Sequence, residues 1–334
     1  MKKVLVIGGA GYCGSVLVPQ LLEEGWAVTI LDILVWYGSN HLPKGNPQLR
    51  VIQGDIRDTA KVAEACVGQD AVLHLACISN DASFELDERL STSVNLESFE
   101  PLVIAAKKAG VKRFVFASSS SVYGVSDLPN VTEDHPLVPL TLYNKYKGMC
   151  EPLLFKHTDK NFVGVVFRPA TVCGYAPRQR LDLSVNILTN HAVNKGKITV
   201  FGGSQLRPNL HVKDYADMCQ LLLAAPEEKI ANQIFNVGFQ NMSILDIAKT
   251  VKKVVEEEFP EKKDIPIEIT ESNDLRSYHI NSDKIKLALG YQPKYSVEDA
   301  VRDLCKAFRE GRLPNSFDDD SYYNVRTMKA IGAK

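Results

Sequence analysis

The segment KKVLVIGGAGYCG, residues 2–14, joins a short apolar run to a glycine-rich turn. The run VLVI, followed at once by glycines, is typical of a buried strand in a parallel sheet. Gly9, Gly11 and Gly14 have the G-x-G-x-x-G spacing; Gly8 precedes them, and a stretch with helical periodicity follows. Glycines at such a turn permit close approach of a pyrophosphate and packing of the helix on the strand. The segment therefore predicts a dinucleotide-binding strand, turn and helix.

Strands and helices alternate through the following part of the chain. The predicted strands are AVTILD, LRVIQGDIRD, DAVLHLA, KRFVFASSSS and FVGVVFRPA, and the helix NLESFEPLVIAAKKAG precedes the run KRFVFASSSS. An alternation of this kind is built from right-handed strand–helix–strand units. The sequence therefore predicts the α/β class, with a Rossmann-type doubly wound parallel sheet.

Beyond residue 170 the alternation becomes irregular, which predicts a smaller, interleaved C-terminal α/β domain; the family resemblance described below implies that this domain binds the substrate. Residues 1–170 are assigned to the dinucleotide-binding domain, and a helix and strand at about 209–238 are expected to return to it. Residues 171–208 and 239–315 are assigned to the substrate-binding domain. The tail, residues 316–334, has no clear period, and the sequence does not place it.

Composition and charge exclude several classes of partner. The 334 residues include 39 Lys and Arg against 40 Asp and Glu, so there is no basic excess that favours nucleic acid or an acidic membrane. No apolar run approaches the length of a membrane span, and the first run is too short for a signal peptide. Seven scattered cysteines without a CxxC motif and ungrouped histidines predict a cytoplasmic protein that binds no metal.

Asp32 closes the second predicted strand, about twenty residues beyond the glycine motif, where dinucleotide-binding folds place an acidic residue. A carboxylate there accepts hydrogen bonds from ribose hydroxyls and repels a 2′-phosphate, and no Arg or Lys follows it in DILVWYG. The sequence therefore predicts NAD rather than NADP. Asp55, in GDIRD, is predicted to meet the adenine, with a helix N-cap as the alternative.

The segment YNKYK, residues 143–147, places Tyr143 and Lys147 one turn apart on the same helix face. An ordinary tyrosine has a pKa of about 10, and a nearby ammonium together with a positively charged cofactor would lower that pKa. The serines at 118–121 end the fifth predicted strand, at the sheet edge where α/β proteins bind ligands. A solvated helix face is the alternative, but the upstream serines favour a proton-transfer pair.

Six motifs in order give the chain a specific family resemblance over about residues 1–310: GGAGYCG, GDIRD, LHLA, SSSSVYG, YNKYK and RPNLHVKDYA. The chain resembles the extended short-chain dehydrogenases/reductases of the NAD-dependent nucleotide-sugar epimerase/dehydratase family. The resemblance implies that Tyr143 is the catalytic acid and base and that Lys147 binds the nicotinamide ribose and lowers the tyrosine's pKa. Ser119 matches the hydroxyl partner best, with Ser120 second.

The resemblance also implies a set of binding residues. The cofactor-binding residues are Gly8, Gly11, Tyr12, Cys13, Gly14, Asp32, Asp55, Ile56, Leu75, Ala76, Asn95, Ser118, Tyr143, Lys147 and Pro169. The substrate-binding residues are Ser79, Ser119, Tyr143, Thr171, Leu183, Asn186, Arg207 and Arg276. Arginines suit a diphosphate because they bond it in a bidentate manner, with a surface ion pair as the alternative for each. Helices near 96–109 and 143–157 are expected to pair in a homodimer.

Departures from the family pattern narrow the predicted reaction. The family's 4,6-dehydratases have an Asp-Glu pair, and its decarboxylases a glutamate, where this chain has Ser120 and Ser121. An NAD-dependent epimerase of a nucleoside-diphosphate sugar, acting at C4 through a keto intermediate, is therefore predicted. The alternatives are a reductase or dehydrogenase of a nucleotide keto-sugar and a non-enzymatic cofactor-sensing protein. Thr171 replaces an asparagine that contacts the substrate in many epimerases, so the sequence does not predict the identity of the sugar.

Overall fold

The computed structural model describes residues 2–34, 38–79, 81–126, 128, 130–271 and 277–332. The strands are β1 Lys3–Ile7, β2 Ala27–Asp32, β3 Leu49–Gln53, β4 Ala71–His74, β5 Arg113–Ala117, β6 Val163–Pro169, β7 Thr171–Cys173, β8 Ile198–Phe201, β9 Leu206–His211, β10 Gln233–Val237, β11 Gln240–Ser243 and β12 Ile267–Thr270. The α-helices are α1 Gly14–Glu23, α2 Thr59–Cys66, α3 Asp81–Phe84, α4 Glu88–Thr92, α5 Phe99–Lys108, α6 Leu142–Phe155, α7 Ser184–Lys195, α8 Val212–Ala224, α9 Glu227–Ile230, α10 Ile244–Glu258, α11 Asp283–Leu289, α12 Val297–Arg309 and α13 Asn324–Ala330.

The main sheet has seven parallel strands in the order β10-β6-β5-β4-β1-β2-β3. The six strands predicted up to residue 170 are β1 to β6, and β10 is the returning strand QIFNVG. The predicted α/β class with a doubly wound parallel sheet is therefore confirmed. Strand order reverses at β1, between β2 and β4, so the carboxyl ends of these strands form the crevice in which such sheets bind ligands.

Side chains from alternate positions of β1 enter two different apolar cores. Val4 and Val6 pack on the face covered by α1 and α8, whereas Leu5 and Ile7 pack on the face covered by α2, α5 and α6. This alternation follows from the two-residue period of a strand, and it explains why β1 is apolar throughout. Helices packed on both faces therefore hold in place the sheet whose carboxyl edge forms the ligand crevice.

A third apolar core lies among α7, α10 and α12, together with β8. It belongs to the C-terminal part of the chain, which also contains a three-stranded sheet, β11-β9-β7, and a two-stranded sheet, β12-β8. The residue boundaries assigned to the two domains stay a prediction. None of the helices in the described part of the chain has the length and apolar character required to span a bilayer.

The helix predicted for NLESFEPLVIAAKKAG begins differently from expectation. Ser93–Glu97 form a π-helical turn, and the regular helix α5 begins at Phe99. Pro101 lies in the first turn of α5, where its missing N–H group breaks no intrahelical hydrogen bond. The tail that the sequence left unplaced forms a 3₁₀ turn, Asp320–Tyr322, and helix α13.

A buried ion pair joins α6 to β6. The Arg168 guanidinium donates two hydrogen bonds to Glu151, of 2.9 and 2.7 Å, and both side chains are only 3% exposed. Ser118 donates to the same carboxylate at 2.6 Å, and Arg168 also donates to the Tyr123 hydroxyl at 2.7 Å. Every strong donor and acceptor of the pair therefore has a partner, which is the condition for keeping charges inside a core.

Replacing Arg168 alone should destabilise the protein by about 3–5 kcal/mol, because Glu151 would stay buried without its cation. We expect R168M to show this loss of unfolding free energy in urea titrations, and R168M/E151L to recover most of it. The exposed pair of Arg302 and Glu257, at 2.9 Å, is the matched control, and R302M should cost less than about 1 kcal/mol. An R168M protein as stable as the wild type would show that the pair does not hold α6.

Candidate active site

The glycine turn after β1 has no room for side chains. Gly8 has a φ of +82°, and a Cβ atom on it would lie 2.6 Å from the backbone nitrogen of Ala76. A Cβ on Gly14 would lie 2.3 Å from the carbonyl oxygen of Gly9. The turn is thus packed against both α1 and the end of β4, and it lines the cavity described below. This is the cradle that a dinucleotide pyrophosphate requires at a helix N-terminus.

Asp32 lies at the end of β2 and faces the same cavity. Its two carboxylate oxygens accept hydrogen bonds from the backbone nitrogens of Ala10 and Leu34, each at 3.0 Å. Burial raises the pKa of Asp32, and these two hydrogen bonds oppose the rise. The carboxylate is therefore oriented by the turn itself, in a position that fits the hydroxyls of a cofactor ribose.

Asp55 also lines the cavity, next to Asp32 along the sheet edge. Arg57 binds its carboxylate at 2.7 Å, and although burial raises the pKa of Asp55, the hydrogen bonds and charge of Arg57 lower it overall. The alternative of an N-cap role for Asp55 is wrong, because Asp58 caps α2 by accepting from Ala60 and Lys61.

Helix α6 begins after the N-cap Thr141 and places Tyr143 and Lys147 in the cavity wall. Lys147 is buried, and its ammonium donates to the carbonyl oxygen of Ala117 at 2.7 Å, over the ring of Phe116. Burial raises the pKa of Tyr143 well above its ordinary value; Cys77 and Asp81 raise it further, whereas Arg180 lowers it. The arginine is a cation near the phenol that the sequence did not predict.

The serines after β5 have different environments. Ser119 is partly exposed in the cavity, whereas Ser118, Ser120 and Ser121 are buried. The hydroxyls of Ser119 and Ser121 lie 2.7 Å apart, and Ser121 donates in turn to the side chain of Asn144. All four serines line the cavity, and Ser119 is the most exposed of them; its rank ahead of Ser120 stays a prediction.

One cavity of about 1020 Å³ unites most of the predicted site, and its size exceeds that of an ordinary single-ligand pocket. The predicted residues that line it are Gly8, Gly11, Tyr12, Cys13, Gly14, Asp32, Asp55, Ile56, Leu75, Ala76, Ser79, Ser118, Ser119, Ser120, Tyr143, Lys147, Pro169, Thr171, Leu183 and Arg207. The lining includes the glycine turn, Tyr143 and residues of β8 and β9, and a cavity of this volume has room for a dinucleotide and a second ligand.

Two of the predicted contact residues, Asn95 and Asn186, lie behind the cavity wall, and a third, Arg276, lies outside the described residues. Asn95, in the π-helical turn, binds both backbone polar groups of Ile78, at 2.9 and 2.8 Å. Asn186 is fully buried and binds the backbone of Gly174 and Arg180. Both side chains shape the wall rather than line it. Arg276 falls in the part of the chain that the structure does not describe.

The sequence reasoning missed charged residues in the loop after β7. Arg178, Arg180 and Asp182, in PRQRLD, line the cavity, and Asp182 binds Arg180 through both carboxylate oxygens, at 2.9 and 3.1 Å. Three charges within five residues did not distinguish this loop from an exposed one, because charged side chains are common on protein surfaces. Asn324 and Met328 of α13 also line the cavity, and the aperiodic tail gave no signal for them.

The comparisons with known proteins agree with this geometry. Residues 4–238 match the profile of the NAD dependent epimerase/dehydratase family. The chain belongs to this family. This membership confirms the family resemblance carried by the six motifs. It also confirms the predictions that the protein is an enzyme and that its cofactor is NAD.

Members of the family resemble the chain over nearly its whole length. The UDP-glucose 4-epimerase of Lactobacillus helveticus is 31% identical over 324 residues, which cover 90% of this chain and 94% of that protein. The dTDP-glucose 4,6-dehydratase DesIV of Streptomyces venezuelae, solved with NAD, has a TM-score of 0.81 at 25% identity and covers 93% of this chain and 98% of its own. The UDP-glucose 4-epimerase of Thermotoga maritima, solved with UDP-glucose, has a TM-score of 0.80 at 25% identity, with 92% and 99% covered.

Replacing Asp32 with alanine should weaken NAD binding by more than about tenfold, because a charged acceptor for the ribose hydroxyls is lost. The affinity for NADP, whose 2′-phosphate the carboxylate repels, should fall much less or should increase. Calorimetric titration of the cofactor-free protein measures both affinities. D55A is the control, since an adenine contact weakens both cofactors alike. An unchanged ratio of the two affinities in D32A would show that Asp32 does not read the ribose.

Proposed function

We propose that the protein is an NAD-dependent epimerase of a nucleoside-diphosphate sugar, which inverts C4 through a keto intermediate. The observation that supports this most is that Ser119 and Tyr143 line one cavity with the glycine turn and Asp32. A sugar between the two hydroxyls would have the cofactor site on one side and Arg207 on the other. The proposal narrows the family's chemistry to one reaction.

Tyr143 is the group that moves the proton. Its phenol oxygen takes the proton of the C4 hydroxyl and returns it after the keto-sugar has turned, while the Ser119 hydroxyl bonds the same sugar oxygen. When bound, NAD would supply the hydride chemistry that a keto intermediate at C4 requires, and the glycine turn and Asp32 would hold it. Lys147 stays beside the site because the carbonyl of Ala117 holds its ammonium.

The protonation state of Tyr143 has to change for this role. In the protein without cofactor, burial keeps the pKa of the phenol high, so the phenol is protonated at neutral pH. A phenolate becomes accessible only when positive charge offsets burial. Arg180 already lowers the pKa of Tyr143 against the effect of burial. The positive nicotinamide ring of bound NAD would lower it further.

Elimination of water is less well supported than epimerisation. The positions at which dehydratases carry acid residues are Ser120 and Ser121 here, and both are buried. Of the described carboxylates on the Tyr143 side of the cavity, Asp182 binds Arg180 and Asp81 accepts from the Thr141 hydroxyl. Neither is therefore placed as a protonated acid that could expel a sugar hydroxyl.

The names of the relatives support a nucleotide sugar as substrate. The protein from L. helveticus is a UDP-glucose 4-epimerase, and the one from T. maritima was solved with UDP-glucose. In this chain Arg207 lines the far end of the cavity and stacks on Tyr278, 5.4 Å from the ring centre. A guanidinium fixed in this way suits a diphosphate.

We expect the purified protein to contain NAD and to interconvert UDP-glucose or a related nucleotide sugar with its C4 epimer, without added cofactor. Proton NMR of the sugar follows both epimers directly. Y143F should lower turnover by about 10²–10⁴-fold, the usual contribution of an acid–base group, because it keeps the ring and removes the hydroxyl.

Tyr146 offers the matched control for this variant. It lies on the same helix, its ring packs on Phe84, and its hydroxyl is 3.4 Å from that of Thr92. Y146F should therefore keep near-normal turnover. If turnover requires stoichiometric reduced or oxidised cofactor, the protein is a reductase or dehydrogenase and not an epimerase. Normal turnover of Y143F would show that Tyr143 is not the acid–base group.

The predicted homodimer and cytoplasmic location stay predictions. Helices α5 and α6, on which the dimer would be built, pack against each other on one face of the main sheet. Met149 of α6 is 42% exposed there. A dimer through these helices would cover that side chain.

A further inference from the structure

The C-terminal tail returns to the active site and is fixed there by buried hydrogen bonds. The backbone of Leu181 donates to the carbonyl of Tyr322 at 2.9 Å. Asn190 of α7, fully buried, donates to the Tyr323 hydroxyl at 3.2 Å and accepts from the Ser316 hydroxyl at 2.7 Å. The segment before α13 therefore has a defined place on α7.

Asn324, the first residue of α13, contacts three polar residues of the cavity. Its side-chain nitrogen donates to the Ser79 hydroxyl at 2.9 Å, and its side-chain oxygen accepts from Arg178 at 2.9 Å. Its backbone nitrogen donates to Asp182 at 3.1 Å. One residue of the tail thus connects the loop after β4 with the loop after β7.

Arg180 completes this cluster beside Tyr143. Asp182 binds it through both oxygens, and the other side of the guanidinium donates to Ser79 at 3.1 Å. Arg180 and Tyr143 line the same cavity; burial raises the pKa of the Tyr143 phenol, and the charge of Arg180 opposes that rise. Ser79 therefore receives hydrogen bonds from both Arg180 and Asn324.

The apolar side of α13 contacts the same loop. Met328 is 4% exposed and packs with Ile78 and Leu90. It lines the cavity together with Asn324, while Ile331 and Gly332 extend this lining beyond the helix. The helix thus offers the cavity both a polar and an apolar contact.

We propose that α13 forms one wall of the sugar subsite and that Asn324 is a positioning residue, which holds Ser79 and Arg178 in the cavity wall that also contains Arg180 and Tyr143. The inference rests on the proposed function, since Tyr143 marks where the sugar reacts. The proposed nucleotide subsite is formed by other lining residues, Thr199, Phe201 and Arg207. A defect in the wall should therefore weaken recognition of the sugar and leave recognition of the nucleotide intact.

The first test compares UDP-glucose with UDP as calorimetric ligands of the NAD-loaded protein. N324A should weaken binding of UDP-glucose by about tenfold or more, because it removes the side-chain hydrogen bonds that hold Ser79 and Arg178 in place. UDP should bind N324A within about twofold of the wild type. Lys329, exposed on the same helix, is the control, and K329A should bind both ligands normally. Equal losses for both ligands, or no loss for either, would overturn the proposal.

A double-mutant cycle separates positioning from general damage. S79A should show the same selective loss as N324A, and the double variant should lose little more than the worse single variant, because one hydrogen bond connects the two residues. Fully additive losses would contradict the proposed coupling. Equal thermal midpoints of the variants exclude unfolding as the cause.

A second readout does not depend on any sugar. Cys13 and Cys77 are partly exposed and line the cavity, whereas the other five cysteines are buried. N324A and M328A should increase alkylation of Cys77 by iodoacetamide several-fold relative to Cys13, as measured by peptide mass spectrometry. If UDP-glucose does not bind the wild type, the proposed substrate is wrong. Unchanged labelling of Cys77 in both variants would independently contradict the proposal that α13 forms a wall of the cavity.

Discussion

The buried pair of Glu151 and Arg168 positions the helix on which the chemistry depends. Glu151 lies four residues after Lys147 and eight after Tyr143, so the three side chains share one helix face. Because Arg168 belongs to β6, which lies next to the edge strand β10, the pair fixes that helix face relative to the sheet. The same carboxylate receives the hydroxyl of Ser118, next to Ser119, and so connects both hydroxyl-bearing elements of the site.

The polar network extends from this pair across the sheet. Arg168 donates to the Tyr123 hydroxyl, and that hydroxyl donates to Asn236 of β10 at 2.7 Å. A network with all members satisfied is rigid, whereas one with a missing partner carries a large penalty. Tyr143 itself stays outside the network, in the cavity wall. The scaffold is therefore rigid behind Tyr143, the residue that we propose moves the proton.

Local signals in the sequence were enough for the scaffold and for the dinucleotide site. The glycine turn and Asp32 each lie at the end of a single element, so their spacing predicted that site. The spacing of Tyr143 and Lys147 also fits a solvated helix face, and the roles assigned to the pair came from the family resemblance and stay a prediction. Asn186 was expected at the substrate by resemblance, but a fully buried amide next to Gly174 has to satisfy backbone groups instead. Helix propensity and motif order do not report such long-range pairing.

The wall made by α13 shows the limit of sequence reasoning most clearly. Asn324 is 245 residues from Ser79, and no period in the tail indicates that the two would meet. Arg180 was equally hard to recognise, since its role depends on Asp182 holding one side of the guanidinium while the other faces Ser79. Contacts of this kind appear only when the chain is folded.

The central claim is that one hydride leaves C4 of the sugar and returns to the same carbon within a single turnover. A nucleotide sugar deuterated at C4 tests this claim most directly, with NMR and mass spectrometry of the product and the solvent. The account predicts that the epimerised product keeps its deuterium at C4 and that none appears in water. Deuterium lost to solvent, or recovered in released reduced cofactor, would contradict the account.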